Sequence, residues 1–307
     1  MNFLKNKKRI LALIFALVTI CLCFTGCGGA EVQELTEQEQ IILNSTLIKP
    51  SQNDTYRYHI YTEYIALVEY IGTNPTVIIP ETIEDKPVLL ISRECFADNE
   101  NIKEIKIPDT LFQIDNAAFR GCKNLEKITF SNIMTNFPQD MCAGCTSLKE
   151  FNLPKALVTI GGGAFRGCTS IPKITIPNNV TTIANSAFAD CTSIEEVIIM
   201  DGGIVEDDTL VKINYLAIHD FAFSNLTNVK RIVVPNTVTE ISSSAFAYIN
   251  ADCIIYGYVP SEICTLCSDL DSKYKFIEIT DGDEIDKLIT TKYSQMSDSV
   301  KKELEEK

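Results

Sequence analysis

A 23-residue period runs through the middle of this chain and constrains its fold more than any other feature. Cys122, Cys145, Cys168 and Cys191 lie 23 residues apart, and Ile102, Leu125, Leu148, Ile171 and Ile194 keep the same interval. So do Ile114, Phe137, Ile160 and Ile183, while Phe96, Phe119, Phe165 and Phe188 are separated by 23 residues or twice that number. Independent ladders sharing one period mark stacked structural units, because a unit this small cannot bury its apolar edges alone. Full units run 92–114, 115–137, 138–160, 161–183 and 219–241, and residues 184–218 form one expanded unit of 35 residues.

Each unit repeats one internal order. Ile105 and Ile107 alternate with period two, the pattern of a half-buried strand. Pro108, Pro154, Pro177 and Pro235 follow that strand, where a missing N–H ends the ladder. A second short apolar pair comes next, as in Val180 with Ile183 or Val238 with Ile241, and then an Ala-Phe pair such as Ala164-Phe165. Successive strand side chains alternate faces, so the middle residue of each strand points away from the core. Stacking then lines up Lys106, Thr129, Asn152, Thr175, Ile198 and Val233 as an outward stripe, the candidate partner-binding surface. Ile198 and Val233 are expected to make an exposed apolar patch at its end, rimmed by the acidic expansion 201–212. The competing expectation is that the expansion folds over Ile198 and buries it.

The run Ala164-Phe165-Arg166-Gly167-Cys168-Thr169-Ser170-Ile171-Pro172-Lys173-Ile174-Thr175-Ile176-Pro177 resembles the BspA-type leucine-rich repeat of bacterial surface proteins. Tyr56–Tyr70 reads as a strand pair, and Val77-Ile78-Ile79-Pro80 with Pro87-Val88 resembles that family's opening half-repeat. Ile254–Tyr258 through Phe276-Ile277 resembles its closing strand, short helix and strand. The resemblance spans 56–279. It implies a right-handed repeat solenoid of short parallel strands, with an N-terminal hairpin and a C-terminal cap. It also implies a binding role toward proteins or glycans outside the cell. Departures are Cys142 in the Phe slot, Ser131 in the Pro slot and the expanded unit.

The ends of the chain read differently. Lys5, Lys7, Lys8 and Arg9 precede an apolar run, Ile10–Phe24, of 15 residues. At about 1.5 Å per residue such a run is too short for a permanent membrane span. Phe24-Thr25-Gly26-Cys27 resembles the lipobox of bacterial lipoproteins. That likeness implies a signal peptide over 1–26, a lipid on Cys27 and anchorage to a membrane outside the cytoplasm. Residues 27–55 form a spacer with a short helix over 37–46, opened by Thr36 and Glu39 as a capping box. In the tail 280–307, Ile285, Leu288, Ile289, Tyr293 and Met296 recur at helical spacing.

Charge and cysteine usage bound the chemistry. The whole chain carries −14, and the 23 cations left beyond the leader face 41 carboxylates, a balance of −18. So acidic a surface repels phosphate backbones, which excludes general nucleic-acid binding. Cys142 with Cys145 and Cys264 with Cys267 both have C-x-x-C spacing, yet several coils separate them. They cannot converge on one tetrahedral zinc, so no metal site is expected. The cysteine ladder itself is read as core packing. Ser170 and Lys173 match S-x-x-K without its partner motifs, and His219 beside Asp220 opens a repeat. Gly161-Gly162-Gly163 sits at a repeat corner rather than after a phosphate-binding strand. Asp201, Glu206, Asp207 and Asp208, like Asp281, Asp283 and Asp286, lack EF-hand spacing and read as solvated loops. No catalytic set and no cofactor site converge. A binding solenoid is the first reading, a passive envelope spacer the second and an envelope enzyme the last.

Overall fold

The computed structural model describes residues 36–201, 204–207, 210–213, 215–269 and 275–279. Cys27, the leader and the tail from 280 onward lie outside the described residues. The chain divides into two units, 1–44 and 45–307. In the first, helix α1 (Glu37–Asn44) opens on the expected capping box. The Glu39 amide donates to Thr36 Oγ1 at 3.3 Å, and Glu39 Oε2 accepts from the Thr36 amide at 2.7 Å.

The second unit is a right-handed parallel β-solenoid of about 8 turns. Most coils contribute two short strands, which stack into two ladders. One ladder pairs Thr76–Ile78, Glu104–Lys106 and Lys127–Thr129, all parallel. A single bridge, Lys127 to Glu150, carries it across the unit 138–160. It resumes through Lys173–Ile176, Glu196–Ile199, Arg231–Val233, Ile254–Gly257 and Lys275–Glu278. The other ladder stacks Asn136–Phe137, Thr159–Ile160, Thr182–Ile183, Leu216–Ile218 and Val238–Ile241. Helix α2 (Glu262–Asp269) lies between the last two strands of the first ladder, as the closing motif requires.

The opening differs from expectation in one respect. Tyr56–Tyr61 and Ile65–Tyr70 form the hairpin, but Leu47–Gln52 pairs antiparallel with its outer strand, inside the segment read as spacer. The sheet therefore begins at Leu47 rather than Tyr56. None of the side chains of Leu47–Gln52 is buried, so the hydrophobic pattern carries no signal for the strand. Pro50 is tolerated because an edge strand needs no second set of donors.

Two ladders of side chains hold the coils together. Phe96 and Phe119 lie 5.3 Å apart, and Phe165, Phe188, Phe223 and Phe246 stack at 5.3–5.5 Å with planes within 7°. Where Cys142 interrupts this stack, Phe151 takes up the face of Phe165 at 4.9 Å, and Phe137 lies edge-on at 5.7 Å. Phe130, just before Ser131, packs on Phe137 at 4.5 Å. The departures at 131 and 142 are thus compensated by three extra rings in the same coils.

The cysteine ladder serves the adjoining backbone. The thiols of Cys122, Cys145, Cys168 and Cys191 donate to the carbonyls of Phe96, Phe119, Cys142 and Phe165 at 3.0–3.1 Å. Each thiol reaches the Phe slot of the preceding coil, a carbonyl that an alanine would leave without this donor. All four are buried and free of disulfides. Burial holds the Cys168 thiol well above its ordinary value and pushes that of Cys191 up to about 12. The unfolded thiol releases its proton near 9, so the folded state holds the extra proton above that pH. This contribution to stability is therefore complete below pH 9 and is lost as pH rises toward 12. Each such thiol contributes a slope of up to about 1.4 kcal/mol per pH unit. Denaturant unfolding at pH 8 and pH 10.5 checks this, with a shallower decline expected for Cys191→Ala; an unchanged slope would remove the thiol from the account.

The chain reverses after each Phe through a residue in the left-handed region. Asp98, Gly121, Gly144, Gly167, Asp190, Asn225 and Tyr248 occupy that slot in successive coils, with φ between 56° and 75°. Glycine accepts this conformation without penalty, and Asn or Asp nearly so. Tyr248 is the outlier of this slot, held at φ 61° and 78% exposed.

The 35-residue unit keeps both the stacking and the register. Phe188 and Phe223 remain 5.4 Å apart, and Ile198 pairs with Val233. The additional residues form an antiparallel ribbon, Ile204–Asp207 with Leu210–Ile213, whose strands pair only with each other. The acidic expansion is thus a two-stranded ribbon and not a simple loop. Glu206 and Asp207 lie on its first strand; Asp208, Asp281, Asp283 and Asp286 lie outside the described residues.

Candidate functional site

The outward side chains of the first ladder fall into two rows. Register places Ile78, Lys106 and Thr129 in one row, and Thr175, Ile198, Val233, Tyr256 and Ile277 in its continuation. Asn152 falls between these two runs by the 23-residue interval. Ile78, Lys106, Thr129, Asn152 and Thr175 are exposed, as expected of the stripe.

Ile198 and Val233 are not. Both are 0% exposed, so the expected apolar patch at the end of the stripe does not exist. They belong to a second hydrophobic cluster with Ile254, Tyr256, Ile277 and Ile279, against which Met200 and Tyr258 pack. Four successive strands place apolar side chains in outward slots, and these pack together as a second, smaller hydrophobic cluster. Ile198 and Val233 accordingly leave the candidate binding set.

The second row was missed at the level of sequence. It reads Glu104, Lys127, Glu150, Lys173, Glu196 and Arg231, with charge alternating from coil to coil. Lys127 lies 3.8 Å from Glu104 and 3.7 Å from Glu150; Lys173 lies 2.8 Å from Glu196, and Arg231 2.6 Å from Glu196. Opposite charges facing each other across paired strands stabilise the register and cancel the local field. The signal was present in the chain, as an alternation of sign at the repeat interval.

Over the coils from 104 to 175 the face is therefore polar, and its charge row is paired from coil to coil. Thr129, Asn152 and Thr175 offer both donors and acceptors on short side chains, Thr129 and Thr175 on strands and Asn152 two residues past the Glu150 bridge, so little side-chain entropy is lost when a partner is held. An open groove of about 750 Å³ adjoins the start of this row, lined by Asn53, Tyr56, Tyr70, Asn74, Thr76 and Ile78.

The remaining candidates are occupied structurally. Ser170 Oγ donates to the Thr146 carbonyl at 2.6 Å, while Lys173 faces Glu196, so the S-x-x-K residues do not face each other. Asp220 accepts from Ser242 and Ser244, and these hydroxyls, Ser242 foremost, hold its carboxyl below the usual range. Cys142 and Cys145 are buried in the core, and Cys264 and Cys267 sit on α2. Among the described residues no group of three or more His, Cys, Asp or Glu side chains is placed to hold a metal.

The comparisons agree with this architecture. A family model described as the BspA type leucine rich repeat region matches residues 89–210 and 207–279, in 6 copies. A leucine-rich repeat protein of T. pallidum superposes with a TM-score of 0.50 at 20% identity, covering 74% of this chain and 98% of that one. One from Bacteroides ovatus gives 0.42 at 24% identity, covering 67% and 70%. A leucine rich cell surface protein of Faecalibacterium prausnitzii gives 0.35 at 16%, covering 80% and 98%. No curated protein matches the chain. With six repeat copies spread over most of its solenoid, this chain belongs to the family of BspA-type leucine-rich repeat proteins.

Proposed function

We propose that this chain is a cell-surface lipoprotein, anchored through Cys27, whose solenoid binds a protein or glycan along Lys106, Thr129, Asn152 and Thr175. The observation that carries this reading is the exposed polar row itself, with Lys106, Thr129 and Thr175 on parallel strands, beside a charge row of alternating sign. Proteins of this repeat family are typically found at the bacterial cell surface, which supports the extracytoplasmic placement. The leader and lipobox likeness supports the anchor, with the membrane held through the lipid and no nucleic acid as partner.

Two variants test the reading. Thr129→Arg with Thr175→Arg places two bulky cations on exposed positions. Melting should stay within about 2 °C, since surface changes of this kind are nearly neutral. Capture of the chain on cells, or on arrays of surface proteins and glycans, should fall at least ten-fold. Undiminished capture moves the site off this face, and no capture by the unaltered chain favours a spacer. Cys27→Ala should abolish labelling by a fatty-acid analogue and shift the chain from the membrane fraction to the soluble one. Retention of both label and membrane association would refute the anchor.

A further inference from the structure

The two ladders of the solenoid begin differently. The second is capped: the hairpin strand Ile65–Tyr70 pairs with Lys86–Ile91, which in turn pairs with Gln113–Ile114. The first opens on Thr76–Ile78, which pairs with Glu104–Lys106 and, among the described residues, with no other strand. Two flanking bonds fix the phase of that pairing. The Glu104 amide donates to the Pro75 carbonyl at 3.0 Å, and the Ile79 amide to the Lys106 carbonyl at 3.0 Å. Backbone groups alternate sides along a parallel ladder. Those of Val77 therefore face Glu104–Lys106, and those of Thr76 and Ile78 face the open edge.

The edge has a defined chemistry. Asn74 Oδ1 accepts from the Thr76 amide at 3.0 Å. What remains is the Thr76 carbonyl, the Ile78 amide and the Ile78 carbonyl, an order that an extended chain complements with two N–H donors flanking one C=O. Ile78 is 68% exposed, an apolar side chain on an unprotected edge. Behind it the open groove is lined by Tyr56, Tyr70 and Val77, all buried, and by partly buried Ile83. Side chains of an added strand would alternate, apolar ones entering this groove and the others joining Ile78 and Lys106 outside. Asp54 is the one charged residue among the described residues lining the groove, and the chain as a whole is strongly acidic. A cationic partner is attracted to such an edge, and a second copy of this chain is repelled.

We propose that Thr76–Ile78 accepts a short extended segment of a basic partner protein as an added strand, its alternate apolar side chains seated over Tyr56 and Tyr70. The inference goes beyond the polar row, since strand addition stands on this edge alone, whether or not Thr129 and Thr175 hold a partner.

The test titrates the full chain with a fluorescent hexapeptide, Lys-Val-Thr-Val-Thr-Lys, whose valines supply the two donors. Saturable binding is expected. N-methylation of both valines should weaken it at least ten-fold, and N-methylation of both threonines, whose amides face away, should not. Exchanging both lysines for glutamates should also cost at least ten-fold. Ile78→Pro removes the edge donor but no ladder bond, because that N–H points away from Glu104–Lys106. It should weaken binding at least ten-fold with melting nearly unchanged, while Thr129→Arg with Thr175→Arg leaves the affinity as it was. Absence of saturable binding, equal binding of the valine-methylated or glutamate peptide, or loss of binding in the threonine variant alone overturns the proposal. So does self-association of the chain that Ile78→Pro abolishes, which would give the edge to a second copy. Should Ile78→Pro unfold, the methylated peptides decide the matter on the native chain.

Discussion

Replacing Phe165 by alanine is expected to lower the free energy of unfolding by about 3–5 kcal/mol, the range for buried aromatic side chains cut back to a methyl. Its ring is fully buried and touches four others: Phe151 at 4.9 Å, Phe188 at 5.3 Å, Phe137 at 5.7 Å and Phe130 at 6.5 Å. Each of those rings is fixed by its own coil, so the cavity cannot close by relaxation. In a solenoid the loss is felt first by the nearest neighbours, since each coil contacts only the next. Hydrogen exchange should therefore quicken between residues 142 and 190 before it changes at either end. A stability change below about 0.5 kcal/mol would contradict the packing described here.

Glu196→Ala should be of similar size, about 3–5 kcal/mol, for a different reason. Arg231 is fully buried on the outer face, 2.6 Å from Glu196, whose other oxygen lies 2.8 Å from Lys173. Removing the carboxylate leaves the buried guanidinium without this counter-charge. The double variant Glu196→Ala with Arg231→Met should recover most of the loss, because an apolar replacement of the pair avoids burying a charge. By contrast Glu126→Ala should leave stability nearly unchanged, although its carboxylate lies 2.7 Å from Lys149, since both side chains are exposed to water. A double-mutant cycle on 196 and 231 with a coupling below about 0.5 kcal/mol would show that the pair is not the determinant of that face.

Periodicity made the main core legible. Every ladder read from the chain, from Ile102 through Ile194 to the Phe and Cys slots, falls inside the solenoid, because a repeat forces the same burial at the same slot. The outer face was harder. Alternation predicts direction, so Ile198 and Val233 were correctly pointed away from the main core. Their burial comes with a cluster that includes Tyr256 and Ile277, residues of later coils, and direction alone cannot supply that. The charge row was readable in principle, yet it appears only when Glu104, Lys127, Glu150, Lys173 and Glu196 are compared across coils. Within one coil each is an ordinary surface residue. The strand Leu47–Gln52 was illegible because its contribution is made by backbone hydrogen bonds, to which side-chain patterns are blind. The exposed polar row is no more legible: Thr129 and Thr175 fill the outward slot without any feature that separates a contact from a plain surface.

The coil of 35 residues stacks as closely on its neighbours as the coils of 23, with rings 5.4 Å apart across it and the strands on either side still in register. Between Met200 and Tyr215, then, chain length is uncoupled from the architecture. Such a corner acts as a socket: a loop of foreign sequence, an epitope or a recognition hairpin can be seated there while the rest of the solenoid keeps its pitch. The scaffold can thus acquire new specificities by exchange of one plug-in segment, leaving the repeats themselves unaltered.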